Sequence, residues 1–129
     1  MKIKQIKETC IYLRNLAEAK NFYQNKLGLE LIGEAEGRHV FFRVGNAVLL
    51  FFNPDVTREE KNLPPHYAEG KQHLAFEVPE ADYEKWKEKL NSEGIIITHE
   101  QTWKKGLKSF YFNDPAGNVL EIVPEGIWN

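Results

Sequence analysis

The 129-residue sequence has one cysteine, one methionine and no long apolar run. A single cysteine, Cys10, cannot form an internal disulfide, and this usage suits a reducing compartment. Cys10 lies in a strand-like run, so we interpret it as a buried structural thiol. No stretch approaches the roughly 18 uninterrupted apolar residues of a membrane span, and the first residues, MKIKQIKE, lack the apolar core of a signal peptide. These absences predict a cytoplasmic protein that does not associate with membranes.

The sequence also has no large excess of charge of either sign. The 17 Lys and Arg residues are balanced by 19 Asp and Glu residues, for a formal net charge of -2. A protein that holds a phosphate backbone needs clustered positive charge, so nucleic acid is not an expected partner. The length allows one good core and is too short for two independent domains of ordinary size. We therefore predict one domain over residues 1–129 with a small-molecule ligand.

The pattern of strands and helices occurs twice along the chain. Residues 1–53 contain a strand candidate, a helix candidate and three further strand candidates, and residues 71–125 repeat this order. Residues 54–70, rich in proline and charge, are typical of a linker loop. The sequence thus predicts an α+β fold built from tandem βαβββ modules.

Local signals place the ends of the helices and of the last hairpin. Asn15, followed three residues later by Glu18, matches a capping box, and Gly28 suits the end of the first helix. Gly94 suits the end of the second helix in the same way. In the last hairpin, the stretch DPAG predicts a type I turn followed by a left-handed glycine.

Strand alternation predicts which ionisable side chains project away from the helices. In HLAFEV, the apolar residues share one face and His73 lies on the other; in NVLEIV, Glu121 lies opposite two apolar residues. Overlaying the two modules pairs Glu8 with His73 and Leu49 with Glu121. Glu8, His73 and Glu121 therefore occupy equivalent positions and are our candidate metal ligands, whereas Leu49 cannot bind a metal. A buried glutamate without a partner is costly, and a metal would remove that cost.

These residues lie in stretches that resemble the vicinal oxygen chelate superfamily, which includes glyoxalase I, extradiol dioxygenases, fosfomycin-resistance thiol transferases and bleomycin-binding proteins. The last hairpin is similar to the fosfomycin-resistance pattern Ser-Phe-Tyr-Phe-x-Asp-Pro-x-Gly-x-x-Leu-Glu, which is met from Ser109 to Glu121. The resemblance implies a cup-shaped mixed sheet, a homodimer and a divalent metal in the cup. It also implies that His73 and Glu121 are metal ligands and that Glu121 has a catalytic role.

The resemblance also has departures. Glu8 stands where many members have histidine and some have glutamine, so the predicted ligand set is harder and does not choose among Mn, Zn, Ni, Fe and Mg. The apolar Leu49 counts against glyoxalase I activity, which needs a proton-shuttling carboxylate there. No clear cation-binding loop lies between Gly94 and Lys108, which counts against a fosfomycin transferase. The predicted substrate contacts are Tyr12, Phe51, Trp103, Ser109 and Tyr111.

Two functions remain open at this point, besides the weaker possibility of a regulatory or accessory module whose dimer face is the functional surface. One is a metal-dependent enzyme of lyase, isomerase, thiol transferase or dioxygenase type that acts on a small oxygen-rich molecule. The other is a metal-free binding protein of the bleomycin-sequestering type, with an acidic cleft for a cationic ligand. The linker histidine, His66, is either a residue that covers the cup or a solvated loop residue.

Overall fold

The computed structural model describes residues 1–129 as two compact units, Met1–Gly70 and Lys71–Asn129. Each unit has one four-stranded mixed sheet, and the order of elements along the chain is the same in both. The predicted α+β class and the duplicated βαβββ pattern are confirmed. None of the helices combines the length and apolar character needed to cross a bilayer.

The first unit forms its sheet in the order β1-β4-β3-β2. Strand β1 runs parallel to β4, and the other neighbours are antiparallel. Its elements are β1 (Glu8–Tyr12), α1 (Leu16–Lys20) with a π-helical continuation (Asn21–Lys26), β2 (Glu30–Ala35), β3 (His39–Val44), β4 (Ala47–Phe52) and α2 (Pro54–Thr57).

The second unit repeats this topology with the order β5-β8-β7-β6, in which β5 is parallel to β8. Its elements are β5 (His73–Val78), a 3-10 turn (Glu80–Asp82), α3 (Tyr83–Ser92), β6 (His99–Thr102), a second 3-10 turn (Lys104–Gly106), β7 (Lys108–Asn113) and β8 (Val119–Pro124).

The predicted helix ends are present. The Asn15 side chain accepts a hydrogen bond from the Glu18 backbone N–H at 3.0 Å, and the Asn15 amide reaches back to the Glu18 carboxylate. Gly28 and Gly94 follow the two helices with φ of 79° and 74°, a left-handed conformation that glycine adopts without steric cost. Capping chemistry therefore sets these boundaries.

Two segments differ from the prediction. The linker begins with a short helix, because Asn53 caps the Asp55 N–H and Pro54 takes the first helical position. The isoleucine run after Gly94, which the sequence pattern predicts as the start of the second strand of the second module, is not a strand, and β6 begins only at His99. The Ile95 N–H donates a hydrogen bond to the Leu90 carbonyl, so the first residue of this run is held by the C-terminal end of α3.

The two faces of each sheet have different neighbours. In the first unit, Phe51 packs on Tyr23 of the helical segment, with ring centroids 4.3 Å apart. In the second unit, Phe110 packs on Tyr83 of α3, with ring centroids 5.3 Å apart. We call the opposite face of each sheet its distal face. It carries Glu8, Cys10, Tyr12, Leu50 and Phe52 in the first unit, and His73, Ala75, Tyr111, Glu121 and Val123 in the second.

Helix α3 is joined to β6 by a charged hydrogen-bond cluster. Glu100 accepts bonds from the Lys87 ammonium at 2.8 Å and from the Tyr83 hydroxyl at 2.9 Å. The bond from Lys87, supported by that from Tyr83, holds the pKa of Glu100 below its usual 4.5. A carboxylate with a lowered pKa stabilises the fold above its unfolded pKa, and this contribution is lost as the pH falls through the folded value.

We therefore expect Glu100→Gln to lower the free energy of unfolding by about 1 kcal/mol at pH 7 and by clearly less at pH 3. Urea denaturation of both proteins at the two pH values measures this difference. Glu84→Gln, at a carboxylate whose side chain is 73% exposed, is the control and should change stability little. An equal loss for Glu100→Gln at both pH values would contradict the assignment.

Candidate metal site

His73 and Glu121 meet on the distal face of the second sheet. His73 begins β5, Glu121 lies in the middle of the parallel neighbour β8, and the register pairs Glu121 with Ala75. Side chains two residues apart on one strand share a face, so His73 lies diagonally next to Glu121. The His73 Nε2 atom is 3.3 Å from the Glu121 Oε2 atom.

The backbone fixes which nitrogen of His73 faces the glutamate. The Nδ1 atom lies 2.8 Å from the Val119 carbonyl oxygen. A carbonyl can only accept a hydrogen bond, so Nδ1 carries the proton and donates it. In a neutral imidazole, the Nε2 lone pair then points at the carboxylate. Two electron-pair donors at this distance require a proton or a cation between them.

The donor set fits a divalent cation. Ligand atoms about 2.1 Å from a metal, at angles between about 90° and 109°, lie roughly 3.0–3.4 Å apart, and the observed pair falls in this range. Metal-binding histidines characteristically donate the other ring N–H to a backbone carbonyl or carboxylate, as His73 does. Glu121 is only 7% exposed, and an isolated charge so buried is costly without a partner. Imidazole nitrogen with carboxylate oxygen suits Zn, Mn, Fe or Ni.

Tyr111 borders this pair. It is the cross-strand neighbour of Glu121 on β7, and its ring is stacked near His73 with centroids 6.1 Å apart. Burial, the charge of Glu121 and a hydrogen bond to Glu121 raise the pKa of Tyr111, whose hydroxyl is a hydrogen-bond donor at neutral pH. Tyr111 is therefore placed to hold an oxygen of a ligand at the candidate metal site.

Glu8 belongs to the other unit, where it is an exposed residue at the start of β1. Within the chain, no group of three or more His, Cys, Asp or Glu side chains is close enough to hold a metal ion. The structure thus brings together two of the three predicted ligands, and the role of Glu8 stays a prediction.

The strand registers correct one equivalence between the modules. Glu121 lies opposite Ala75, two residues after His73, and the matching residue two after Glu8 is Cys10, which lies opposite Leu50. Leu50, not Leu49, is therefore the counterpart of Glu121. Leu49 is 3% exposed and shares the helix-facing side with Phe51. The counterpart remains an apolar leucine, so the first sheet still supplies no second carboxylate there.

Two predicted substrate contacts are corrected. Phe51 does not lie on the distal face: it is fully buried against Tyr23 and Phe42 beneath the helical segment. Ser109 is also fully buried, and its hydroxyl accepts a hydrogen bond from the Trp103 indole N–H at 2.8 Å. Ser109 therefore holds the Trp103 indole, and its own hydroxyl is covered in this structure.

Tyr12 lies on the distal face of the first sheet, and its hydroxyl is 2.6 Å from the Nδ1 atom of His66. His66 also packs edge-on against Phe52, so the linker histidine covers part of this face and is not a freely solvated residue. Sequence alone did not link His66 to Tyr12, 54 positions away. Burial raises the pKa of the Cys10 thiol, which agrees with a structural thiol and not with a nucleophile.

A cavity of about 640 Å³ opens beside the His73–Glu121 pair, entirely within the second unit. Trp103, predicted from the sequence, lines it together with Tyr111. Sequence analysis missed the remaining walls, which come from the loop after β6 and from the segment after β8. These residues are Lys104, Lys105, Leu107, Gly126, Ile127, Trp128 and Asn129, and the strand residues Ala75 and Val123 complete the lining.

The arrangement of each unit and the paired donors can be compared with known proteins. A family model described as Glyoxalase/Bleomycin resistance protein/Dioxygenase superfamily matches residues 5–122. The chain belongs to this superfamily. Its fold is the glyoxalase type. A crystal structure of lactoylglutathione lyase from Agrobacterium tumefaciens matches with a TM-score of 0.95 and 32% identity, covering 100% of this chain and 99% of that one.

Curated relatives within the superfamily are named metallothiol transferase FosB. The protein from Staphylococcus haemolyticus is 29% identical over 122 residues, covering 93% of this chain and 83% of the relative. The protein from Staphylococcus saprophyticus is 26% identical over 122 residues, covering 93% and 76%. These relatives support a metal-dependent, glyoxalase-like enzyme. They also confirm the predicted likeness of the last hairpin to fosfomycin-resistance proteins.

Proposed function

We propose that this superfamily member is a divalent-metal-dependent enzyme whose metal is held by His73 and Glu121. The observation that carries the proposal is the 3.3 Å approach of the His73 Nε2 atom to the Glu121 carboxylate, with the other imidazole nitrogen bonded to a backbone carbonyl. A bound divalent cation acts as a Lewis acid that stabilises negative charge on substrate oxygens. The protein's own groups orient the ligand and exclude water.

The third ligand in this proposal is Glu8 of a second copy of the chain. Glu8 is exposed and occupies the position in the first sheet that His73 occupies in the second. No third His, Cys, Asp or Glu completes the pair within one chain. Members of the superfamily commonly form dimers. A homodimer that combines the first sheet of one copy with the second sheet of another would bring the three ligands together.

Among the reactions that the sequence leaves open, we favour one that uses a thiol. The name metallothiol transferase refers to a thiol, and the name lactoylglutathione lyase refers to a conjugate of the thiol glutathione. Leu50 occupies the position in the first sheet at which a second carboxylate would be needed to move a proton between neighbouring carbon atoms of a substrate. An addition of a thiol to an oxygen-rich electrophile does not need that carboxylate. Tyr111 would hold an oxygen of the electrophile through its protonated hydroxyl.

The alternative, a metal-free binder with an acidic cleft for a cationic ligand, fits the cavity less well. Lys104 and Lys105 contribute two positive charges to its walls, against the single acidic side chain of Glu121. A cationic ligand would be repelled by the two lysines.

The test is the metal content and metal affinity of protein purified without chelators or nickel resin. We expect near-stoichiometric divalent metal, and at least tenfold weaker binding of Zn²⁺ and Mn²⁺ by Glu121→Gln because one anionic ligand is lost. Plasma mass spectrometry and calorimetric titration measure the two quantities.

The matched control is Glu93→Gln, a carboxylate removed from the exposed end of α3. It should leave metal binding unchanged. Parent protein that binds none of Zn²⁺, Mn²⁺, Ni²⁺ and Fe²⁺ at micromolar concentrations would overturn the proposal.

A further inference from the structure

The cavity beside the metal pair has walls of two chemical kinds. Its apolar walls are two indoles and three branched side chains: Trp103, Leu107, Val123, Ile127 and Trp128. Two lysine residues, Lys104 and Lys105, belong to the same lining. His73, Tyr111 and Glu121 form the remaining polar side. A ligand that satisfies all three surfaces has an apolar body, an anionic group and a polar end.

The volume of the cavity favours a ligand larger than a few carbon atoms. Pockets of about 300–1,000 Å³ hold drug-sized molecules, and this cavity of about 640 Å³ lies in that range. A molecule of three or four carbon atoms would leave most of the apolar wall in contact with water. Trp103 and Trp128 are 45% and 93% exposed as whole residues, so covering their side chains would contribute favourably to binding.

The wall is held in place by specific bonds. The Trp103 indole donates to buried Ser109, and the Trp103 backbone N–H is bonded to the Leu107 carbonyl at 2.7 Å. Between them, Lys105 adopts a left-handed backbone with φ of 67°, unusual for a residue other than glycine. Its ammonium donates to the Asn129 carbonyl oxygen at 3.1 Å, which joins this loop to the segment that carries Trp128. The lysines and tryptophans thus belong to one connected rim.

The charges select an anion. Lys104 and Lys105 are adjacent in sequence and line one cavity, and the one acidic side chain in the lining, Glu121, lies against His73. An organic anion such as a carboxylate, sulfonate or phosphonate would pair with the ammonium groups while its apolar part covers the indoles. We propose that the substrate or co-substrate of this protein is an amphipathic organic anion with an aromatic or branched body. This inference rests on the proposed function only in placing the reacting end of that molecule at His73 and Glu121.

The test uses three probes of defined chemistry. The anionic aromatic 8-anilino-1-naphthalenesulfonate, the uncharged N-phenyl-1-naphthylamine and inorganic phosphate are titrated into the protein while probe and tryptophan fluorescence are recorded. We expect saturable binding of the sulfonate with quenching of tryptophan emission, weaker binding of the uncharged amine, and no quenching by phosphate alone.

The double variant Lys104→Gln/Lys105→Gln should bind the sulfonate about tenfold more weakly and the uncharged amine almost as before. Trp128→Ala should weaken the binding of both aromatic probes severalfold, and the exposed side chain can be removed without disturbing the core. Lys108→Gln is the matched control, because Lys108 is an exposed neighbour that lies outside the cavity lining. Near-ultraviolet circular dichroism verifies that each variant retains native packing.

The results separate this inference from the proposed metal site. Sulfonate binding that is equal in the parent and in the double lysine variant would overturn the inference, even if metal binds normally. So would a dimer in which tryptophan emission resists iodide quenching and neither aromatic probe binds, since a second copy would then fill the cavity. Sulfonate binding that depends on the lysines in protein that holds no metal would support the inference and refute the metal proposal.

Discussion

Mixing two variants that each fail to bind metal is expected to restore metal binding. His73→Gln/Glu121→Gln removes both ligands of the second sheet, and Glu8→Ala removes the carboxylate of the first. If the site combines the first sheet of one copy with the second sheet of another, each mixed dimer has one site with all three ligands and one with none. Random reassortment of equal amounts makes half of the dimers mixed, so the mixture should recover about a quarter of the parental metal capacity.

The measurement is the bound metal after the two variants are unfolded together, refolded and passed over a desalting column. Each variant alone should retain less than a tenth of the parental metal, since loss of a charged ligand weakens binding strongly. Mixing without unfolding, under conditions where subunits do not exchange, is the control and should recover nothing. No recovery after refolding to dimers would place all ligands of any metal site in one chain and would contradict the shared site.

Local sequence signals predicted the architecture because the two modules use standard capping and turn chemistry. Asn15 lies at the start of the first helical segment and Gly28 at its end, as expected. Gly117, with φ of 85°, follows the predicted turn, and its N–H is bonded to the Asp114 carbonyl. Strand alternation likewise placed His73 and Glu121 on one face. These features depend on residues close in sequence or on a period of two, which a sequence displays directly.

The overlay of the two modules failed at β4 for an identifiable reason. Asn46 and Asn118 each directly precede the first residue of their strand, but the parallel registers pair Glu8 with Val48, the second residue of β4, and His73 with Val119, the first residue of β8. Alignment on the shared asparagines placed Leu49 beside Glu121, and the strand registers shift the match to Leu50. A slip of one residue moves every side chain of a strand to the other face. The same slip placed Phe51 on the distal face.

Contacts between distant segments had no signal in the sequence. The bond between Tyr12 and His66, and the cavity wall that Trp128 supplies, depend on where loops return to the sheets. The buried position of Ser109 is another such contact. Strand alternation predicts which face of the sheet Ser109 occupies, but not that Trp103 covers it. Residue types that suit a site could therefore be named, whereas their exposure could not.

The loop between β7 and β8 carries a buried polar network. Asp114 and Asn118 are 4% and 2% exposed. One oxygen of Asp114 accepts bonds from the Ala116 and Asn118 backbone N–H groups at 2.9 and 2.8 Å, and the other accepts from the Asn118 side chain at 2.9 Å. The Asn118 side-chain oxygen accepts from the Gln72 backbone N–H at 2.9 Å, directly before His73. The network therefore fixes the starts of β5 and β8 relative to each other.

Asp114→Ala is expected to lower the free energy of unfolding by about 3–5 kcal/mol, because three donors lose a buried acceptor and each such loss costs about 1–3 kcal/mol before water compensates it. Asn46→Ala, in the exposed two-residue loop of the first unit, is the matched control and should change stability by less than about 0.5 kcal/mol. Urea denaturation at a fixed protein concentration measures both changes, since association would make stability depend on concentration.

The same substitution should also weaken metal binding in protein that remains folded. His73 follows Gln72, and the Val119 carbonyl that orients its imidazole follows Asn118, so loosening this loop loosens the ring that faces Glu121. Imprecise support of a metal ligand typically costs about 10–100-fold in affinity. A folded Asp114→Ala protein with parental stability and parental metal affinity would show that the network neither holds the hairpin nor positions His73.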